Sequence, residues 1–197
     1  MLSIKNNVVN EISIKKSKFI TYLFRVDSVI DVNNCLSNLS VTHSDSTHIC
    51  YAYVIDNVKR FSDNGEPGGT AGMPILNVLE SNSLNHILCC VVRYFGGIKL
   101  GANGLVRAYS SSTSLAVSSS IIVDLILGKL CSLEFNYDDT KMVDSLLKSS
   151  IITNKKYDDR VCYNFKISAN DFLILKSDLS KFGNLNIIDD CYIEKDL

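Results

Sequence analysis

Eight of the ten glycines in this 197-residue chain lie in two short stretches, Gly65–Gly72 and Gly96–Gly104. That concentration constrains the fold more than any other feature. Glycine allows positive φ and close backbone approach. Each stretch follows a strand-like run, HICYAYVI (His48–Ile55) for the first and NHILCCVVRY (Asn85–Tyr94) for the second. Each leads into a helix-like run, TAGMPILNVLE (Thr70–Glu80) and Gly104–Ser120. Two glycine-rich loops feeding helix starts offer clustered backbone N–H groups, aided by the helix dipoles, as a receptor for negative charge. The functional surface is therefore expected at these loops.

The rest of the pattern predicts an α+β protein of two domains, residues 1–128 and 129–197. In the first, Val8–Ile14 alternates and Phe19–Val26 is apolar and aromatic, as strands require. Asp27 or Ser28 caps a helix running to about Leu39. Phe61–Gly72 reads as irregular, and Pro74 is compatible only with a helix's first turn. The serine-rich tract SSSTSLAVSSS (Ser110–Ser120) reads as helix with a small-residue face rather than as a linker, and Ile121–Leu127 closes the domain as a strand. In the second domain, strand Leu130–Asn136, helix Asp138–Leu147, strands Ile151–Tyr157 and Arg160–Ile167, helix Asn170–Phe182 and strand Leu185–Ile193 give the order βαββαβ, which is ferredoxin-like.

Charge excludes a globally basic nucleic-acid binder. Residues 1–128 carry ten Lys/Arg against nine Asp/Glu, and residues 129–197 carry ten against twelve. Any polyanion contact must come from a local cluster. The seven cysteines include no CxxC pair and read as reduced core thiols. Neither they nor the three histidines form a metal-binding pattern, so no metal and no cofactor is expected. No apolar run reaches the roughly 18 residues of a membrane span. The start MLSIKNNVVNE lacks the basic-then-apolar order of a secretory leader, so a cytoplasmic location is expected.

In the first loop, FSDNGEPGGTAGMP (Phe61–Pro74), Thr70 is placed to cap the next helix. Asp63 and Glu66 are carboxylates that either act as a base or organise the loop. The second loop, RYFGGIKLGANGLVR (Arg93–Arg107), sets Arg93 and Lys99 around Gly96, Gly97, Gly101 and Gly104, with Arg107 on the following helix. An arginine fork and a lysine point charge both suit phosphate. GxxxxGK[ST], GxGxxG and GxSxG are all absent, which excludes P-loop, Rossmann and α/β-hydrolase readings. His48 opens a strand and reads either as a hydrogen-bonded structural group or as a catalytic one. Tyr51, Tyr53 and Tyr94 are base-stacking candidates, although tyrosines at strand spacing usually pack in a core.

The segments KSKFITYLFRVDSV, STHICYAYV, RFSDNGEPGGTAGMPILNVLE (Arg60–Glu80) and VVRYFGGIKLGANGLVRAY (Val91–Tyr109) resemble the signature of the YigZ/IMPACT family over residues 15–115. The resemblance implies a first domain like the second domain of a ribosomal small-subunit protein, and a ferredoxin-like second domain. It also implies a role in translation, since eukaryotic members regulate translation through protein partners and bacterial members are suspected RNA or ribosome binders. By motif position, Asp63, Glu66, Gly68, Thr70, Gly72, Arg93, Gly96, Gly97, Lys99, Gly101, Gly104 and Arg107 match the family signature. Gly68-Gly69 stands where Ser-Gly is usual, and Ala102-Asn103 where Thr-Gly is usual.

Three readings follow. In the first, the loop amides with Arg93, Lys99 and Arg107, joined by Gly68, Gly69, Thr70 and Gly72, bind RNA, on the ribosome or elsewhere. In the second, the protein is a hydrolase using Glu66, Asp63 and His48. In the third, the loops are structural and the protein is an interaction module for a translation-related partner. The oligomeric state is not encoded in these patterns.

Overall fold

The computed structural model describes residues 1–196, which divide into two compact units, Met1–Asp124 and Leu125–Lys195. Both mix helices and sheet, so the protein is α+β.

The first unit is built on a sheet of β2 (Val8–Ile14), β3 (Ser17–Arg25), β4 (His48–Ile55), β5 (Val58–Ser62) and β6 (Ile87–Tyr94). Their order is β2-β3-β6-β4-β5, antiparallel throughout. β6 lies at the centre and is buried on both faces, which explains its unbroken apolar run ILCCVV. Side chains alternate across a strand. Ile87, Cys89 and Val91 face a core shared with α2 (Gly72–Ser81) and α3 (Ala102–Ser118), while Leu88 and Cys90 face one shared with α1 (Val29–Thr42). Ser28 caps α1, accepting from the Asp31 amide while the Asp31 carboxylate accepts from the Ser28 amide. The serine-rich tract is helical through Ser118. Its small residues Ala108, Ser112 and Ala116 are buried, and the Ser112 hydroxyl is hydrogen-bonded to that of Thr21 on β3.

Three local expectations need correction. β5 occupies Val58–Ser62, so the segment from Phe61 onward is not wholly irregular. Ile121–Leu127 and Leu130–Asn136 are not separate strands but one, β7 (Ile122–Phe135), in which Gly128 is an interior residue. Its first residues, Ile122–Asp124, pair with β1 (Leu2–Ile4) in the first unit, and Gly128–Phe135 pair with β9 (Val161–Ser168) in the second. Thr70 does not cap α2. Ala71 is the cap residue and offers no side-chain bond, and the Thr70 hydroxyl donates to the Pro67 carbonyl instead.

In the second unit, β7 is followed by a 3-10 turn (Tyr137–Asp139), α4 (Thr140–Leu146), β8 (Ile151–Tyr157), β9 (Val161–Ser168), α5 (Ala169–Phe182) and β10 (Gly183–Asp196). The strand order is β10-β7-β9-β8. Val161, Tyr163, Phe165 and Ile167 alternate inward from β9 and pack with Val143, Phe172 and Leu179. Ser168 caps α5 by accepting from the Asp171 amide.

No cysteine is disulfide-bonded among the described residues. Cys50, Cys89, Cys90 and Cys131 are buried, and Cys35, Cys162 and Cys191 partly so. Burial pushes the Cys50 and Cys89 thiols up to about 12 and Cys131 to about 11. The reactive species is the thiolate. At pH 8 an aromatic disulfide reagent is therefore expected to modify the native protein at Cys35, Cys162 and Cys191 only, with all seven thiols reacting in denaturant. Mass spectrometry of the labelled peptides reads the result.

Candidate functional site

The two glycine-rich loops meet at one end of the first unit's sheet, and each is held there differently. The first is organised by Asp63, whose Oδ1 accepts from the Ala71 and Gly72 amides at 2.9 and 2.8 Å and whose Oδ2 accepts from Gly69 at 2.8 Å. The Asp63 carboxylate therefore occupies the main-chain donors that would have met an external anion. Thr70 donates its amide to Pro67. Gly69, Thr70 and Gly72 thus offer no free anion-binding amides, and Asp63 is committed to structure rather than available as a base. Gly68 is exposed.

The second loop is open. Gly96 is required by close approach, because a Cβ there would meet the Lys16 carbonyl at 2.0 Å. Its amide donates to the Ser17 hydroxyl. Gly101 has φ +71° and stands at the cap position of α3, where it offers no side chain to the helix. The first intrahelical bond is from Leu105 to Gly101. The first-turn amides of Ala102, Asn103 and Gly104 therefore have no partner of the kind a capping side chain supplies. Gly97 and Lys99 are exposed in the loop.

Between the loops lies a cavity of about 400 Å³. Pro67, Phe95, Leu100 and Leu105 give it apolar walls, Lys99 and Ala102 lie along it, and His48, Glu66 and Arg93 also line it. Arg93 follows Ile87, Cys89 and Val91 in the strand alternation, so it projects onto the α2/α3 face of β6 and is 5 % exposed. It donates to Glu66 Oε1 at 2.5 Å and to Ser17 Oγ at 3.4 Å. Its guanidinium lies over the rings of Phe19 and Phe95. Glu66 Oε1 also accepts from the Tyr109 hydroxyl at 2.8 Å. Tyr109 is completely buried, and burial raises its pKa well above the ordinary phenol range. Cys50 lies beside it, with its thiol 2.9 Å from the Asp63 carbonyl and 3.3 Å from the Tyr109 oxygen. His48 Nδ1 is 2.8 Å from the Asn64 carbonyl and Nε2 is 3.8 Å from Glu66 Oε2.

The structure thus brings Glu66, Arg93, His48, Lys99 and Gly101 to one cavity, and leaves Arg107 exposed on α3 and outside its lining. Arg93 is neutralised by Glu66 and belongs to the interior, not to an exposed basic cluster. Tyr51 and Tyr53 pack in the α1-side core, and the half-buried Tyr94 has its hydroxyl bonded to His43. Sequence reading passed over Tyr109, Phe95 and Asn64. For Tyr109 the signal was present: a tyrosine on the apolar stripe of a helix needs a partner for its hydroxyl.

The family model described as the Impact N-terminal domain matches residues 15–117, which contain both loops and the cavity. IMPACT family member YvyE of Bacillus subtilis is 37% identical over 151 residues, covering 75% of this chain and 70% of the relative. An IMPACT family member of Haemophilus influenzae is 40% identical over 150 residues, covering 72% of this chain and 71% of its own. A crystal structure described as a hypothetical protein superposes with a TM-score of 0.66 at 31% identity, covering 94% of this chain and 95% of the other. The class is thus that of proteins carrying an Impact N-terminal domain. The chain belongs to the IMPACT family, as its YigZ-type signature implied. Among the described residues no helix is long and apolar enough to cross a membrane.

Proposed function

We propose that this protein is a translation-associated binding protein that holds RNA, on the ribosome or elsewhere, by a backbone phosphate at the start of α3. The single observation behind this reading is the uncapped first turn at Ala102–Gly104, opening beside Lys99 on a cavity with apolar walls. Partial positive charge at a helix start, unmet by any capping side chain among the described residues, favours an anion. Family membership supports the link to translation, and Lys99, Gly101 and Gly104 at this opening match the family signature. The site is smaller than the sequence suggested. Lys99, Gly97, Gly101 and the first-turn amides remain, whereas the first loop acts as a scaffold.

On this reading the first unit corresponds to the second domain of a ribosomal small-subunit protein, and the second unit is a ferredoxin-like module. The strand order β10-β7-β9-β8, with two helices over one face, supports the latter. A boundary near Gly128 also belongs to this reading.

Phosphate contact makes affinity salt-dependent. Binding of mixed single-stranded RNA is expected to weaken steadily with rising salt. Lys99→Glu should weaken it about tenfold and lower the salt slope by about one. Lys141→Glu, an exposed change on α4, serves as the control and should leave binding unchanged. No binding at low salt, or equal loss from both variants, would remove the reading.

A further inference from the structure

The cavity has unused hydrogen-bonding capacity at its closed end. Glu66 has a side chain only 3 % exposed, and both donors it receives, Arg93 and Tyr109, go to Oε1. Oε2 accepts no hydrogen bond among the described residues and lies 3.8 Å from His48 Nε2, beyond hydrogen-bond reach. The ring nitrogen on the other side, Nδ1, faces the Asn64 carbonyl at 2.8 Å. A carbonyl only accepts, so Nδ1 carries a proton, and in that neutral tautomer Nε2 presents a lone pair. Two acceptors thus stand 3.8 Å apart, close enough for one donor group placed beside them to reach both. Arg93 Nε is also buried without a partner.

Three further features limit what that donor belongs to. At the open end, the first-turn amides of α3 and Lys99 favour an anion. Between the ends, the walls are Pro67, Leu100, Leu105 and the half-exposed ring of Phe95, which carries the Arg93 guanidinium 5.5 Å from its centroid. The volume of about 400 Å³ falls among small-molecule sites, which run from about 300 to 1,000 Å³. An anionic end, a flat apolar middle and a hydrogen-bond-donating edge describe a nucleotide whose base carries an amino group.

We infer that this cavity is a pocket for one nucleotide, with its phosphate at the start of α3, its base against Phe95, and a base amino group donating to Glu66 Oε2 and His48 Nε2. Adenine, cytosine and guanine each present an amino group at the pairing edge. Uracil has no amino group and presents a single N3–H between two carbonyls, which the acceptor pair repels. The inference rests on the phosphate site proposed above. The nucleotide is supplied either by an unstacked residue of single-stranded RNA or by a free mononucleotide.

The test is calorimetric titration of the full chain with AMP, CMP, GMP, UMP and inorganic phosphate at low salt, followed by competition between AMP and a short oligoadenylate. AMP, CMP and GMP should each bind at least about tenfold more tightly than phosphate, with UMP about tenfold weaker than AMP, because unmatched buried polar groups discriminate strongly. Phe95→Ala, a change at an exposed position, should weaken AMP about five- to one-hundredfold through lost stacking and leave phosphate binding unchanged. Displacement of AMP by the oligonucleotide assigns the pocket to RNA. AMP binding with no displacement assigns it to free nucleotides and removes the RNA reading while keeping the pocket. Four mononucleotides that bind no better than phosphate, or that bind equally, overturn the pocket even if RNA still binds in a salt-dependent way. Loss of phosphate and RNA binding together removes both proposals.

Discussion

Replacing Arg93 by methionine is expected to destabilise the first unit by about 3–5 kcal/mol. The reason is the carboxylate left behind. The Glu66 side chain is 3 % exposed and takes its charged partner from Arg93 at 2.5 Å. Removing one member of a buried ion pair leaves the other charged, desolvated and unpaired. Glu66→Gln should destabilise for the mirror reason. The double variant Arg93→Met/Glu66→Gln should then be better than the sum of the singles by about 1–3 kcal/mol, the range found for residues in direct contact. Urea unfolding of the four proteins checks this. Strict additivity would mean that the two groups do not depend on each other, and the account of the cavity floor would fail.

The second large effect is expected at Asp63. Its two oxygens hold three amides from Gly69, Ala71 and Gly72, and through them the entry into α2. Hydrogen bonds to a charged group contribute about 1.5–3 kcal/mol each and do not add fully, so Asp63→Ala should cost about 3 kcal/mol or more. Asp63→Asn can keep the Oδ1 contacts to Ala71 and Gly72, but turns an amide donor toward Gly69, and should cost roughly half as much. Amide hydrogen exchange at Gly69, Ala71 and Gly72 should accelerate in both variants, more in the alanine one. Unchanged stability and exchange, accompanied by lost activity or binding, would instead identify Asp63 as a chemical group.

Much of the fold was legible because local signals agreed with it. The alternation in Val8–Ile14, the two-sided apolar run of β6 and the Ser28/Asp31 capping box each specify their element without help from elsewhere. β5 was not legible, since VKRFS at a sheet edge is mostly exposed and carries no apolar alternation. Nor was the continuity of β7, because Gly128 reads as a breaker. In the structure its missing side chain accommodates Ile193, whose Cδ1 would lie 2.6 Å from a Cβ at that position. At the site, the sequence located the loops but not their division of labour. Glycine-rich amides look alike in sequence whether a ligand or Asp63 occupies them. Likewise Arg93 reads as an exposed cation until the β6 alternation places it on the buried face opposite Glu66. Tyr109 shows how that assignment could have been reached, since a buried hydroxyl and a buried guanidinium on neighbouring elements each need an acceptor, and one carboxylate, Glu66, serves both.

On the proposed reading one helix start, and not the glycine-rich surface as a whole, receives negative charge. The most direct test of that reading is a titration of the ¹⁵N-labelled protein with a short single-stranded RNA at low salt, following individual amide resonances. The account requires saturable shifts at Ala102, Asn103 and Gly104, with Gly69, Ala71 and Gly72 unmoved because Asp63 holds them. Shifts that spare the first turn of α3, or that fall on the Asp63-bound amides instead, would contradict it.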